Sequence, residues 1–294
     1  MVYSKMEIAQ AYCYCHKITR REARNFYYAF ITLPRKQRQA IYAAYAFFRM
    51  CDDIADEEMS VLEKQEELQR CRDDLALAYG GHPKGPIMLA LIDAATRFDI
   101  PQEHFQAVVT GVEMDLTINR YQTFNDLREY CFHVAAVVGL VCVRIFGCAH
   151  PEVIKSAEDL GVAMQITNIM RDLKEDALRD RVYLPQDEMA SFSYTEEELK
   201  MGVVNQAFKN LMDFQARRAR TLFQNGARFL PMIPWRSRAC AAIIHGIYYA
   251  LLQRMEARHF DVFRDRVRIG TVEKLFIMGR RWIQSVFTRI PREL

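Results

Sequence analysis

Apolar positions recur along this chain with the helical period almost from end to end, and no stretch keeps the strict alternation of a half-buried strand. The pattern predicts helices over about 35–57, 61–78, 86–98, 101–119, 125–146, 151–176, 204–229, 235–258 and 271–287. In the first of these, Ile41, Tyr45 and Phe48 fall at i, i+4 and i+7. Pro34 stands just before it, where a missing N–H costs nothing. Gly80 and Gly81 stop the second helix, Gly147 stops the fifth, and Pro101 and Pro151 open the fourth and sixth. Thr195 and Glu198 have the spacing of a capping box and predict a short helix there. Residues 179–193, with Pro185 among them, read as loop. No linker rich in Gly, Ser or Pro divides the chain, and no repeat of solenoid length is visible. The expectation is an all-α fold with a single domain over residues 1–294.

Composition narrows the partners more than the fold. Of 294 residues, 51% are apolar, enough for a substantial core, and the 12 Gly and 9 Pro are few for this length. The net charge of +3 is too mild to argue for nucleic acid. The basic excess is local: residues 264–294 hold eight Lys or Arg against three Asp or Glu. A solvated helix surface explains that run, and so does a surface leaning on anionic lipid, where each such charge is worth roughly 1 kcal/mol. Cysteines 13, 15, 51, 71, 131, 142, 148 and 240 form no CxxC pair. They read as reduced core fillers of a cytoplasmic protein. The N-terminus lacks the pattern of a secretory leader. The most apolar run, Val134 to Phe146, is broken by Gly139 and Arg144 and falls short of the ~20 residues of a membrane span. These features predict a protein that is soluble or peripheral on a membrane.

The candidate chemistry lies in two acidic stripes. Asp52 and Asp56 are four apart, so on a helix their carboxylates stack on one face, and Arg49 shares it. The turns before them are aromatic and apolar, so the acids emerge from a helix that is otherwise core. A solvated acidic helix end, continued by Glu57 and Glu58, would explain this stripe alone. The second stripe changes the balance. Gln165, Asn168, Asp172 and Asp176 fall at i, i+3, i+7 and i+11 on one helical face, amides first and carboxylates after, with the same four-residue acid spacing. Two such faces opposed across a cavity suit magnesium, which takes one or two carboxylates plus substrate phosphates. Arg171 and Arg181 add guanidinium forks that match phosphate oxygens. Metal held there would neutralise a diphosphate leaving group and let its C–O bond ionise.

The run Leu160-Gly161, Gln165, Asn168, Arg171-Asp172, Asp176, Arg181, Tyr183, Pro185 resembles the second signature of the squalene and phytoene synthase family at every defined position. The run from Tyr130 and Cys131 through Val134–Gly139 to Cys142 and Ile145 resembles the first signature. Asn25–Phe30, Leu33-Pro34 and Tyr42–Asp56 are similar to the N-terminal block, so the likeness covers nearly the whole chain. The resemblance implies an all-α isoprenoid-synthase bundle with a central cavity between the two acidic motifs. It implies magnesium on Asp52, Asp56, Asp172 and Asp176. It also implies diphosphate contacts from Arg24, Arg49, Arg171 and Arg181, with Gln165 and Asn168 in the same site. Tyr130 and Tyr45 match tyrosines linked to proton transfer and to shielding a carbocation, and Tyr183 and Tyr248 match aromatic positions at the cavity. One departure stands out: Glu22–Phe26 lacks the serine-containing pair that many relatives carry before the residue equivalent to Phe26.

The reaction so implied joins two polyprenyl diphosphates head to head through a cyclopropyl intermediate. Phe30 lies four residues past Phe26 on one helix face, and a ring there limits tunnel depth, which favours fifteen-carbon farnesyl chains and a thirty-carbon product of squalene or dehydrosqualene type. The alternative is phytoene from two twenty-carbon geranylgeranyl diphosphates. A reductive ending would use NADPH, but no dinucleotide fingerprint is present. A reading of another class is a non-catalytic scaffold or assembly factor, whose mark would be eroded carboxylates; here all four are in place. His133 and His245 have no ligand spacing and read as structural.

Overall fold

The computed structural model describes residues 3–23, 26–148 and 150–287. Among them it has helices and no strands, apart from an isolated parallel bridge between Arg120 and Val182. The predicted helices appear as α3 (Arg35–Asp56), α4 (Val61–Tyr79), α5 (Gly85–Phe98), α6 (Gln102–Thr117), α9 (Pro151–Leu178), α12 (Gln206–Gly226), α13 (Trp235–Ala257) and α14 (Thr271–Phe287). The expected capping box is formed: Glu198 N–H donates to Thr195 Oγ1 at 3.2 Å and Thr195 N–H to Glu198 Oε2 at 2.9 Å, opening α11 (Glu196–Lys200).

Three differences from the sequence reading have physical causes. An N-terminal helix, α1 (Lys5–Glu22), precedes the first expected one. Its buried positions are Ala11, Tyr12, Cys15 and Thr19, a stripe too weakly apolar to stand out, although Ser4 and Glu7 form a capping box that marks its start. The segment read as loop contains α10 (Gln186–Ser191), started by Pro185 at its N-cap. The expected helix over 125–146 is three pieces: α7 (Phe124–Cys131), a π-helical turn (Phe132–Ala136) and α8 (Val137–Ile145).

Small residues hold that π turn in place. A Cβ on Gly161 of α9 would come within 2.5 Å of the Ala136 Cα, and one on Gly111 of α6 within 2.7 Å of Val134 Cγ1. Both neighbours pack backbone-close against the widened turn. Such turns change the face on which later side chains emerge. Here the side chains of Tyr130, Val134, Val138, Cys142 and Phe146, four apart in sequence, all reach one cavity. The core around it is aromatic and aliphatic, with Phe47, Phe105, Phe208 and Phe223 fully buried. All eight thiols are free; Cys13 is exposed and Cys142 and Cys148 half-buried, so the reading of every cysteine as core holds for the other five only.

Candidate active site

A cavity of about 410 Å³ is enclosed by α3, α6, α8, α9 and α13 together with α2 (Tyr27–Phe30). Its depth is lined by apolar groups such as Phe146, Val143, Phe229 and Ile244. Its charged and amide lining groups are Arg49 and Asp52 from α3, Asp115 from α6, and Gln165 and Asn168 from α9. Asp52 of the first stripe and Gln165 and Asn168 of the second therefore open into the same space, whereas Asp56, Arg171, Asp172, Asp176 and Arg181 do not line it. Of the other expected residues, Tyr45, Tyr130, Tyr248, Phe26 and Phe30 line the walls. Arg24 lies outside the described residues.

On α3 the arginine does not pair with Asp52. Arg49 Nε donates to Asp53 Oδ1 at 2.7 Å, four residues on, and its guanidinium lies 3.5 Å from Asp56. Asp52 is left facing Asp56, Asp115 and Asp53. It is reached by solvent, yet it sits in a concave mouth with protein on most sides. Desolvation there, offset in part by Arg49 and reinforced by these carboxylates, pushes it up to about 7.

On α9 the counterpart is already neutralised. Asp172 is held by the adjacent Arg171, whose Nε donates at 2.8 Å, and by Arg266, whose Nε donates at 2.9 Å. Arg266 also lies 3.4 Å from Glu175. The sequence reading did not single out Arg266; only the return of the chain after α13, pinned by Lys174 Nζ to the Phe263 carbonyl at 2.9 Å, brings it to α9. Asp176, one turn on, is pushed up to about 7 by desolvation and by Asp172, with Arg181 opposing and Asp115 adding. Asn168 donates to Gln165 Oε1 at 3.3 Å, while its own Oδ1 is buried with no hydrogen-bond partner.

Asp115 joins the two faces, and the sequence reading missed it. It accepts from Tyr183 at 2.7 Å through Oδ1 and from Tyr130 at 3.1 Å through Oδ2, and Arg181 donates to its backbone carbonyl at 3.0 Å. Burial raises its carboxyl despite those hydrogen bonds. The segment after α9 is laid beside α6 by Val182 N–H donating to the Asn119 carbonyl at 2.9 Å, which seats Tyr183 behind Tyr130 with ring centroids 5.2 Å apart. Tyr183 thus supports the wall from behind and does not line it. Burial holds the Tyr130 phenol well above its ordinary range, so it stays protonated at neutral pH. Across the cavity, Phe26 stacks between Phe30 and Tyr248 at 6.1 and 5.9 Å, and Phe30 meets Tyr42 and Tyr45 edge-on at 6.5 and 6.3 Å. Phe30 belongs to an aromatic wall.

Among the described residues no three acidic, histidine or thiol side chains form a ready-made metal cage. The donor set nevertheless fits a hard divalent cation that brings substrate phosphates as its remaining ligands. Asp52 and Asp176 are both raised by desolvation, with Asp115 adding to each, and the orphaned Asn168 amide oxygen belongs to a residue lining the same cavity. His133 and His245 stand away from this site, on the Ala107 and Phe223 carbonyls at 3.2 Å each.

The family model for squalene/phytoene synthase matches residues 19–273. A phytoene synthase of Arthrospira platensis is 36% identical over 287 residues, covering 92% of each chain. A phytoene synthase of Mycobacterium tuberculosis is 35% identical, covering 95% of this chain and 93% of the relative. Among solved structures, a dehydrosqualene synthase in complex with ligand superposes with a TM-score of 0.88 at 28% identity, over 95% of this chain and 99% of that one. A squalene synthase from Alicyclobacillus acidocaldarius superposes at 0.83 with 25% identity, over 87% and 97%.

Proposed function

Because the chain belongs to the squalene/phytoene synthase family and is a prenyltransferase of that type, we propose that it joins two geranylgeranyl diphosphates head to head, as one catalytic domain, to give phytoene. The observation that carries the reading is the cavity: mostly apolar, with Asp52 of one stripe and Gln165 and Asn168 of the other opening into it beside Asp115, whose charge acts on both acid faces. A diphosphate belongs at the charged end and a prenyl chain in the apolar depth. The twenty-carbon substrate is favoured by the relatives named phytoene synthase, which align over more than nine-tenths of this chain. It replaces the farnesyl expectation drawn from Phe30, whose ring packs into the wall, stacked on Phe26 and edge-on to Tyr42 and Tyr45.

In this reading Arg49, Arg171, Arg181 and Arg266 hold diphosphate oxygens at the mouth. Asp52, Asp56, Asp172, Asp176 and Asn168 would hold magnesium, which when bound supplies the charge neutralisation that lets diphosphate leave. The walls keep water from the allylic cation so formed, and the faces of Tyr45, Tyr130 and Tyr248 stabilise it. Asp115 fixes Tyr130 and Tyr183 through its two carboxylate oxygens. Its raised carboxyl, beside the Tyr130 hydroxyl, can take up the proton lost in closing the cyclopropane and in the final elimination. An ending by proton loss needs no reductant, so NADPH has no part in it. Contact with a membrane through the basic C-terminal region belongs to the same reading, since the product is an uncharged hydrocarbon. Among the described residues no helix is long and apolar enough to cross a membrane.

The test is a product assay with magnesium, each diphosphate supplied separately, with and without NADPH, and products identified by mass spectrometry. A forty-carbon hydrocarbon from geranylgeranyl diphosphate alone supports the proposal. A thirty-carbon product from farnesyl diphosphate would restore the shorter reading. Absence of turnover on both would leave the scaffold reading.

A further inference from the structure

The last helix is built inside out. α14 packs antiparallel on α13: Arg254 reaches Glu273 at 2.6 Å, a Cβ on Gly246 would meet Ile277 and Arg281, and Arg238 approaches the Ser285 carbonyl at 3.5 Å. The face turned to α13 therefore carries Ile277 and Met278 but also Lys274, Arg281 and the buried Ser285. The outer face carries Val272, Leu275, Phe276, Trp282, Ile283, Val286 and Phe287, with Val272 82%, Phe276 69% and Phe287 79% exposed. Seven of the sixteen large apolar side chains exposed among the described residues stand on this one helix, so the patch is not the scatter normal for a surface. Trp235, 47% exposed, adds to it at the end of α13 that the Arg238–Ser285 contact ties to the C-terminal turn of α14.

We propose that this face docks on an anionic lipid membrane, with α14 lying in the plane of the interface. Charge selects lipid over a second copy of the chain. Arg236, Arg268 and Arg280 are exposed around the patch and have no acidic partner among the described residues, while the one acid of α14, Glu273, is occupied by Arg254. A two-fold pairing of these faces would bring two basic rims together with no acid to answer them, whereas anionic headgroups answer them directly. The aromatic content fits as well, since tryptophan favours the headgroup level. Position gives the docking a use, which rests on the reaction proposed above. Among the described residues α13 stands between α14 and the cavity, since its Ala241, Ile244 and Tyr248 line the cavity while α14 packs on its other side. An uncharged hydrocarbon leaving there has a lipid phase one helix away.

The chain supplies its own probe, because its two tryptophans, Trp235 and Trp282, both stand at this surface. The intact protein is mixed with vesicles of phosphatidylcholine containing phosphatidylglycerol, then followed by flotation and tryptophan emission. The expected result is capture with a blue shift, weaker on phosphatidylcholine alone. The double substitution Phe276→Gln with Ile283→Gln touches only exposed positions and is expected to lower partitioning by about tenfold or more, with turnover of detergent-dispersed substrate unchanged. Failure of the anionic vesicles to capture the protein would overturn the proposal, as would equal capture of the double variant. A dimer in sedimentation equilibrium that the double variant dissociates would assign the face to a second copy instead. The vesicle measurement uses no substrate, so an active enzyme that does not float sinks the docking surface alone. A protein that floats but turns over neither diphosphate supports the surface and sinks the reaction.

Discussion

The two acid faces share a four-residue spacing and meet different fates. On α3, Asp52 is passed over by Arg49 and faces other carboxylates; on α9, Asp172 is clasped by Arg171 and Arg266. The first face stores repulsion that a cation would relieve. On the second, Asp172 is already paired, while Asp176 one turn on is raised as Asp52 is. Identical spacing thus gives Asp52 other carboxylates as neighbours and Asp172 two arginines. The lesson is that a carboxylate motif is defined by which cations the tertiary structure gives it.

The comparison breaks most sharply under substitution. Asp52→Asn and Asp172→Asn should each lower kcat by about a thousandfold or more, if each carboxylate helps neutralise the leaving group. Far-UV circular dichroism should stay helical in both. Their metal-free stabilities should diverge. Asp52→Asn removes a repelled charge and should leave the melting temperature unchanged or higher. Asp172→Asn strips the half-buried Arg171 and the exposed Arg266 of their partner and should cost about 1–3 kcal/mol, most of it through Arg171. Full turnover in either variant would sink the metal assignment, and equal melting behaviour would sink the contrast between the faces.

A smaller effect comes from Arg266→Gln, which removes one of the two clasps on Asp172. Loss of one charge-assisted contact predicts about a tenfold fall in kcat/KM, expressed mainly in KM for the diphosphate. A variant with wild-type KM would mean that Arg266 serves Asp172 only as a structural partner.

The smallest effect is one of pH. Asp52 and Asp176 are raised to about 7 in the fold, above the ordinary carboxylate value they have when unfolded. A raised acid contributes stability that is present below its unfolded pKa and lost as pH rises through the folded one. Metal-free protein should therefore lose stability between pH 4 and 7 from these two groups, in part screened at Asp52 by solvent. Magnesium should recover it, raising the melting temperature more at pH 8 than at pH 6. An equal increment at both pH values would show that these carboxyls do not bind the ion.

What the sequence determined by itself is what depends on spacing. Helices α3 to α6, α9 and α12 to α14 follow from apolar residues recurring every three to four positions. The acid pairs share a face because four residues make about one turn. The capping box at Thr195 and the stops at Gly80 and Gly147 are equally local. What the spacing could not reach is decided by segments distant in the chain. Asp115 follows Glu113 in an ordinary helical stretch, and nothing local marks it; it matters because Tyr130 and Tyr183 arrive on it from two other elements. Arg266 is one arginine in a basic run until the chain folds it onto Asp172. The α14 sequence reads as an amphipathic helix whichever way it faces, and only its packing on α13 turns the apolar side outward. Local periodicity fixes which residues share a face. Which face meets which partner is settled by the competition among all the faces for burial, and that competition exists only in the folded chain.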